Sequence, residues 1–441
     1  MANRLVIVGG GAAGMSAASA ARRVDPGLQI VVLEATGHVA FGLCGIPYYL
    51  AGVVEQAEEL LAYPPEFFAG HRRLDLRRRA EAVELDSARR TVHYRQHGRT
   101  HRLDYTALIV TAGGAPGVPG LPPAIPPDRV FTIRTMEDAI TLRSLLDAGR
   151  VGRALVVGAG YIGLETAEAF AARGCAVTVV DLLDQVLPNL DASVAAVVEK
   201  HLREHVDLRL NTKVQEALEP APDVVVLATG VRPAATVAAL AGARTGPAGA
   251  LLVDQEMRTS LPGVWAAGDC ATAHHRVLGA PAFVPLGPAA NRAGRVAGTV
   301  AAGGHARFDG VVGTAVVKVF DLEVARTGLT AAQAQRAGIA AHTTDVVHRS
   351  RAKYYPGSVP LHVRLVHADD GRLLGAQLVG REGAAKRVDV VAAALHAGLG
   401  VDDLAAFDLS YAPPYAPVYD PLLIAAQAAQ LARATRPVAV A

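Results

Sequence analysis

Chemistry in this chain starts from a sulfur. Cys44 stands in Ala40-Phe41-Gly42-Leu43-Cys44-Gly45-Ile46-Pro47-Tyr48-Tyr49-Leu50, with glycines nearby on both sides and an apolar, aromatic run behind it that can start a helix. A thiol at a helix start faces unpaired backbone N–H groups and the positive end of the helix dipole, and both favour thiolate. The expectation is a nucleophile or electron relay rather than a small buried hydrophobe. Tyr49, not a second cysteine, follows within the next turn, so an internal dithiol–disulfide couple is not expected. A lone sulfur cycles instead through a mixed disulfide or a sulfenic acid.

Such a sulfur needs an electron source, and the sequence around it supplies two places to hold one. Leu5-Val6-Ile7-Val8 reads as a buried strand that enters Gly9-Gly10-Gly11-Ala12-Ala13-Gly14 and then an Ala-rich helix ending near Arg23. In this G-x-G-x-x-G pattern the glycines allow a tight turn, let the backbone approach a pyrophosphate and let helix pack on strand, while the helix N-terminus receives the phosphates. The next strand, Gln29-Ile30-Val31-Val32-Leu33, ends at Glu34 and Ala35, where a carboxylate accepts ribose hydroxyls. The device recurs: Ala154-Leu155-Val156-Val157 enters Gly158-Ala159-Gly160-Tyr161-Ile162-Gly163, a helix carrying Glu165 follows, and the strand Ala176-Val177-Thr178-Val179-Val180 ends at Asp181. An acid there repels a 2′-phosphate and favours NADH over NADPH. Two further buried strands close on small residues, Val110-Thr111-Ala112-Gly113-Gly114 and Leu227-Ala228-Thr229-Gly230. The repetition calls for two dinucleotides. Gly263-Val264-Trp265-Ala266-Ala267-Gly268-Asp269-Cys270 then brings the Asp269 carboxylate and backbone amides to a bound sugar or polyol chain, with Cys270 read as a packing residue.

The rest of the chain bounds these readings. At 441 residues it is too long for one core, and two or three domains are expected. Lys plus Arg is 43 and Asp plus Glu is 41, a net charge of +2 that points to neither nucleic acid nor an acidic surface as partner. Three cysteines, widely spaced, indicate no disulfide framework and a reducing, cytoplasmic compartment. No signal peptide and no apolar run long enough for a membrane span is read. The basic positions between 62 and 102, including Arg72, Arg73 and Arg77-Arg78-Arg79, read as a solvated face, and the Pro- and Gly-dense stretch 115–129 as a crossing between domains. From Val311 the pattern alternates as in an antiparallel sheet, with strands expected at 316–319, 361–365 and 373–378. This part carries two aromatic, proline-rich segments, Lys353-Tyr354-Tyr355-Pro356-Gly357 and Ser410-Tyr411-Ala412-Pro413-Pro414-Tyr415. The fifteen histidines show no metal-ligand spacing, so no metal is expected.

Taken together, the two glycine fingerprints, Cys44, the two small-residue strand ends, Glu165 and Gly268-Asp269 resemble the flavin-dependent pyridine nucleotide–disulfide oxidoreductases over essentially the whole chain. Cys44-Gly45-Ile46-Pro47-Tyr48-Tyr49, Tyr354-Tyr355-Pro356-Gly357 and Tyr411-Ala412-Pro413-Pro414 resemble the single-cysteine branch, most of all the coenzyme A-disulfide reductases. The resemblance implies an α/β fold with two Rossmann-like, three-layer dinucleotide-binding domains and a C-terminal α+β dimerisation domain: FAD in 1–114 and 247–305, NAD(P)H in 115–246, and dimerisation through 309–441. It implies FAD against Gly9, Gly11, Ala12, Ala13, Gly14, Glu34, Ala35, Val83, Thr111, Ala112, Gly113 and Asp269. NADH or NADPH is implied against Gly158, Gly160, Tyr161, Ile162, Gly163, Glu165, Asp181 and Gly230, and coenzyme A enters as part of the substrate. The implied partners are a small disulfide or peroxide and a second copy of the chain. Cys44 is the implied redox centre. The dithiol branch's His-Pro…Glu acid–base pair is absent, so Tyr354, Tyr355 and Tyr411 are either the proton donors, reaching the Cys44 of the other subunit, or aromatic filling of the dimer interface. One departure stands beside the sulfur: where the reductases read Ser-Phe-x-Asn-Cys, this chain has Ala40 and Leu43. That leaves an NADH oxidase or peroxidase, working through a sulfenic acid, as the alternative activity.

Overall fold

The computed structural model describes residues 3–120 and 125–435; Met1 and Ala2, residues 121–124 of the expected domain crossing, and residues 436–441 lie outside the described residues. The first sheet is parallel and runs in the order Val264–Ala266, Ala107–Val110, Arg4–Val8, Gln29–Glu34, Asp75–Arg78. Its central strand is a continuous apolar run because both faces are covered. One face carries the helices Ala12–Val24 and Gly287–Ala301, which approach so closely that a Cβ on Gly294 or Gly298 would fall 2.2 or 2.1 Å from the carbonyl oxygens of Ala13 and Ala17. Only glycine allows that approach.

The other face is covered by a three-stranded antiparallel sheet, Ala80–Asp86, Thr91–Gln96 and Arg99–Asp104. Leu85, Val92, Tyr94 and Leu103 from this sheet pack with Val6, Val8, Val31 and Leu33 of the first. Much of the stretch read in the sequence as a solvated basic face is therefore a structural layer. Its outward charges, such as Glu81, Arg95 and Arg99, hide the inward apolar set.

The second unit repeats the first, with parallel order Asp207–Arg209, Ala176–Val180, Arg153–Val157, Val224–Leu227, Val130–Phe131. A short antiparallel ladder, Gly114–Pro116 against Val231–Pro233, links the two units where the chain crosses between them. The third sheet is antiparallel as expected, in the order Ala315–Val319, Leu322–Gly328, Leu373–Gly380, Pro360–Ala368, Ala341–Arg349. Helices Ala384–Ala397 and Pro421–Ala434 bury Val388, Val391, Leu422 and Ala425 against it. Among the described residues no helix is long and apolar enough to cross a membrane.

Candidate active site

Both glycine turns are built to one plan. Gly9 has φ +103°, and a Cβ there would lie 2.2 Å from the Thr111 carbonyl oxygen; Gly158 has φ +112°, with the Ala228 oxygen at 2.4 Å. Gly14 and Gly163 each bring a helix so near the preceding turn that a Cβ would lie 1.9 Å from the oxygen of Gly9 or Gly158. Gly11 and Gly160, at the N-caps of helices Ala12–Val24 and Tyr161–Ala172, differ: a Cβ would meet nothing within 4 Å. Neither cap has a side-chain partner, so the first N–H groups of both helices are free to receive an anion. An open helix start with no Cβ fits a pyrophosphate, in the first unit and in the second.

The acids at the strand ends brace these turns. Glu34 Oε2 accepts from the Gly10 N–H at 2.7 Å, and Oε1 accepts from the Thr36 N–H and hydroxyl at 2.7 and 2.8 Å. Asp181 does the same in the second unit, accepting from Ala159 N–H at 2.7 Å and Leu183 N–H at 2.9 Å. Each carboxylate keeps lone pairs for a ribose. Ala35 is exposed beside Glu34, and Ala12 and Ala13 form the first turn of their helix. Thr111 donates its hydroxyl to the carbonyls of Val8 and Gly9 at 2.9 and 2.8 Å, and Ala112 and Gly113 follow it at the strand end. Gly230, at φ +89°, ends the matching strand of the second unit. Val83 is passed over in the pairing of Ala80–Asp86 with its neighbour, the extra residue of a bulge. Tyr161 and Ile162 open the second helix, and the Tyr161 hydroxyl accepts from Asn189 Nδ2 at 2.9 Å.

Cys44 lies in a one-turn 3-10 helix, Leu43–Gly45, ahead of Ile46–Ala51. Its loop is fastened to the first glycine turn by the Ala40 N–H, which donates to the Gly10 carbonyl at 2.9 Å, and to the end of the 3-10 helix Ala57–Leu60 by Gly42 N–H to Leu60 O at 2.7 Å. Of the three cysteines only Cys44 is exposed. Cys175 donates to the Val151 carbonyl at 3.1 Å, and Cys270, fully buried as a packing residue, is pushed up to about 11.

The helix start is not the main influence on this thiol. A six-residue helix carries little dipole, and the thiol is held above its ordinary pKa by the protein crowded around it and by the Glu165 and Asp269 carboxylates; Arg134 opposes them. Arg134 is the residue sequence reasoning missed. It donates from Nη2 to the Gly114 carbonyl at 2.7 Å, at the domain crossing, and interacts with both Cys44 and Asp269. No fingerprint contains it. Burial lowers its own pKa, and burial raises that of Asp269, with Arg134 pulling the latter back.

Glu165 is the other tuned group. Burial lifts its carboxyl to about 7, and the Tyr48 hydroxyl donates to its Oε1 at 3.4 Å; Tyr48 itself is pushed up to about 12, first by burial and then by Glu165. Groups from both nucleotide units thus converge on one accessible sulfur. The tyrosines of the loops 350–359 and 407–420 pair with one another instead: the hydroxyls of Tyr354 and Tyr411 are 3.5 Å apart and both rings are exposed, while Tyr355 lies under the Arg351 guanidinium at 5.6 Å. None of the charges acting on Cys44 within the chain comes from them. The sequence reading that no histidines fall at metal-ligand spacing is also corrected, since donor atoms of His201, Glu204 and His205 come within 4.8 Å of one another.

Residues 3–285 match the family model of pyridine nucleotide-disulphide oxidoreductases, and residues 314–421 match the dimerisation domain of the same enzymes. The chain belongs to this family. As a pyridine nucleotide-disulphide oxidoreductase it uses FAD and NAD(P)H, the two dinucleotides that the paired glycine turns fit. The oxidoreductase is 38% identical to an NAD(P)H coenzyme A polysulfide/persulfide reductase of Pyrococcus horikoshii, over 97% of this chain and 98% of the relative. It is 30% identical to a coenzyme A disulfide reductase of Staphylococcus aureus, over 93% and 96%. The crystal structure of reduced Bacillus anthracis CoADR-RHD superposes with a TM-score of 0.93 at 33% identity, covering 98% of this chain and 81% of that one.

Proposed function

We propose that this oxidoreductase reduces a small disulfide or persulfide of coenzyme A with electrons from NADH, through Cys44, and that it works as a homodimer. The observation that carries the reading is the placement of a single accessible thiol where Glu165 from the second glycine-fingerprint helix meets Asp269 and Arg134. The two relatives named for coenzyme A substrates support the substrate class. Bound FAD and NADH supply the two electrons. The chain's own residues do the sulfur chemistry: Cys44 thiolate attacks one sulfur of the substrate, the S–S bond breaks, a thiolate leaves and takes a proton, and Cys44 is left in a mixed disulfide. Two electrons then cleave that disulfide, release the second thiol after a second proton, and restore Cys44. Arg134 favours the thiolate that attacks. Glu165, with a carboxyl near 7, is the proton donor that this reading favours, and a tyrosine of the partner subunit is the second choice.

NADH oxidation measured with coenzyme A disulfide, coenzyme A persulfide, cystine, peroxide and oxygen tests this. The coenzyme A substrates should be turned over fastest, and Cys44→Ser should abolish that turnover while hydride transfer from NADH to flavin continues. Faster turnover of peroxide or oxygen would make the enzyme an oxidase or peroxidase cycling through a sulfenic acid. Full disulfide turnover by Cys44→Ser would make Cys44 structural.

A further inference from the structure

A cluster far from the cofactor turns is left unused by this chemistry. Helix Ala192–Leu202 and the turn after it carry His201-Leu202-Arg203-Glu204-His205, two histidines four apart with a glutamate between them. His201 lies in the last helical turn and Glu204 and His205 in the turn that follows it, and two imidazoles with a carboxylate are a donor set that holds a borderline divalent metal. Here one donor atom each from His201, Glu204 and His205 falls within 4.8 Å of the others. A tetrahedral ion with ligands at about 2.1 Å sets its donors roughly 3.4 Å apart, so the cluster needs only a small side-chain rotation to close. One edge is already near that length: His201 Nδ1 lies 3.7 Å from Glu204 Oε2.

Two independent features hold the rings ready. The His201 side chain is 10% exposed, and its Nε2 is buried without a directed hydrogen bond, 2.6 Å from Asp321 Oδ1 across the seam to the third sheet. Arg381 Nε in turn holds Asp321 Oδ2 at 2.8 Å. A carboxylate behind the second nitrogen is the usual orienting partner of a metal-bound histidine, and a small turn of the ring would align Nε2 with Asp321 and leave Nδ1 to the ion. The His205 ring is stacked on Phe320, with centroids 4.1 Å apart and planes 9° off parallel, so its orientation is also set before any ion arrives.

We propose that His201 Nδ1, a Glu204 oxygen and a His205 nitrogen form a binding site for Zn²⁺ or a similar imidazole-preferring divalent ion, with a fourth position left to water. The ion ties His201, Glu204 and His205 to one another at the end of this helix and so steadies the His201–Asp321 and His205–Phe320 contacts that cross to the third sheet. The seam also carries Lys318 to Glu168 and the Phe320 N–H to Glu168 Oε2 at 2.7 Å.

The test uses the full, tag-free, FAD-loaded chain in a Cys44→Ser background, which removes the competing accessible thiol. After dialysis against a chelator it is titrated with ZnCl₂, following heat by calorimetry and bound zinc by mass spectrometry. One equivalent per chain is expected, with a rise in Tm. His205→Ala and Glu204→Gln, both exposed positions, should each weaken binding at least about tenfold and remove the rise in Tm, while flavin reduction by NADH stays unchanged. Asp321→Asn, acting through His201, should weaken binding without abolishing it. No stoichiometric binding, or the same affinity in His205→Ala and Glu204→Gln, overturns the site.

Discussion

The two glycines of each fingerprint helix are present for different reasons, and Gly160→Ala against Gly163→Ala separates them. Gly160 has φ −84° and ψ −173°, a conformation alanine accepts, and its new methyl meets nothing within 4 Å. Loss of a glycine N-cap to alanine costs at most about 1 kcal/mol. The methyl does stand where a dinucleotide pyrophosphate must approach. Losing one charge-assisted hydrogen bond there costs about 1.5–3 kcal/mol, or roughly 10- to 100-fold in affinity. Gly163→Ala instead forces a Cβ to within 1.9 Å of the Gly158 carbonyl oxygen, a backbone atom that cannot swing aside. The helix must move off the strand, at about 3 kcal/mol or more. Thermal unfolding without NADH and stopped-flow flavin reduction against NADH concentration read the two effects apart. Gly160→Ala should lose no more than about 3 °C in Tm and raise the NADH concentration for half-maximal reduction by at least about tenfold. Gly163→Ala should lose stability first. An unchanged NADH dependence in Gly160→Ala, or a Gly163→Ala protein as stable as the wild type, would refute this division of labour.

Asp181→Asn should raise NADPH use relative to NADH, because the charge that repels a 2′-phosphate is gone; since Asp181 also braces Ala159 and Leu183, the absolute rate with both coenzymes should fall. The ratio of kcat/KM for the two coenzymes checks it, and a constant ratio removes Asp181 from coenzyme choice. Glu165, raised from the ordinary 4.5 to about 7, binds its proton more tightly folded than unfolded, so the stability it gives is present below about 4.5 and lost as pH rises through 7. Glu165→Gln should flatten that fall, a difference of about 3 kcal/mol at most between pH 4.5 and 8 by denaturant unfolding. Equal pH slopes in the two proteins would contradict the burial argument. Finally, Cys44→Ser and Tyr411→Phe chains refolded together should recover roughly a quarter of wild-type disulfide turnover if each site is shared across the dimer. Verified mixed dimers without activity would confine the site to one chain.

The glycine turns, their acids and the alternation of the third sheet were legible because each is written in local sequence: a strand, three glycines, a helix and a carboxylate follow one another without long-range help. The three-stranded layer over the first sheet was not, since its strands are half exposed and their charged faces mask the inward Leu85, Val92 and Leu103. Cys44 shows the same limit in its chemistry. The helix start was visible nearby, but the groups that set the thiol are Glu165, Asp269 and Arg134, brought in from distant parts of the chain by the fold. Arg134 carried no signal at all. His201-x-x-Glu204-His205 was plainly spelled and was overlooked because the pattern runs over a helix end, with Glu204 and His205 beyond the last helical residue.

The interleaving of the first sheet governs how the chain can be made. Arg4–Val8 is synthesised more than two hundred residues before Val264–Ala266 completes its sheet, and the helix that backs the pyrophosphate turn, Gly287–Ala301, comes later still. Every strand of the second sheet lies between Val130 and Leu227. At ribosomal speed the first sheet must wait roughly 10 to 40 s for its missing pieces, while the second can close as soon as it emerges. The unit begun first is finished second. On a growing chain the second sheet can therefore be whole while the first still lacks its last strand and the helix Gly287–Ala301 that packs on Ala13 and Ala17.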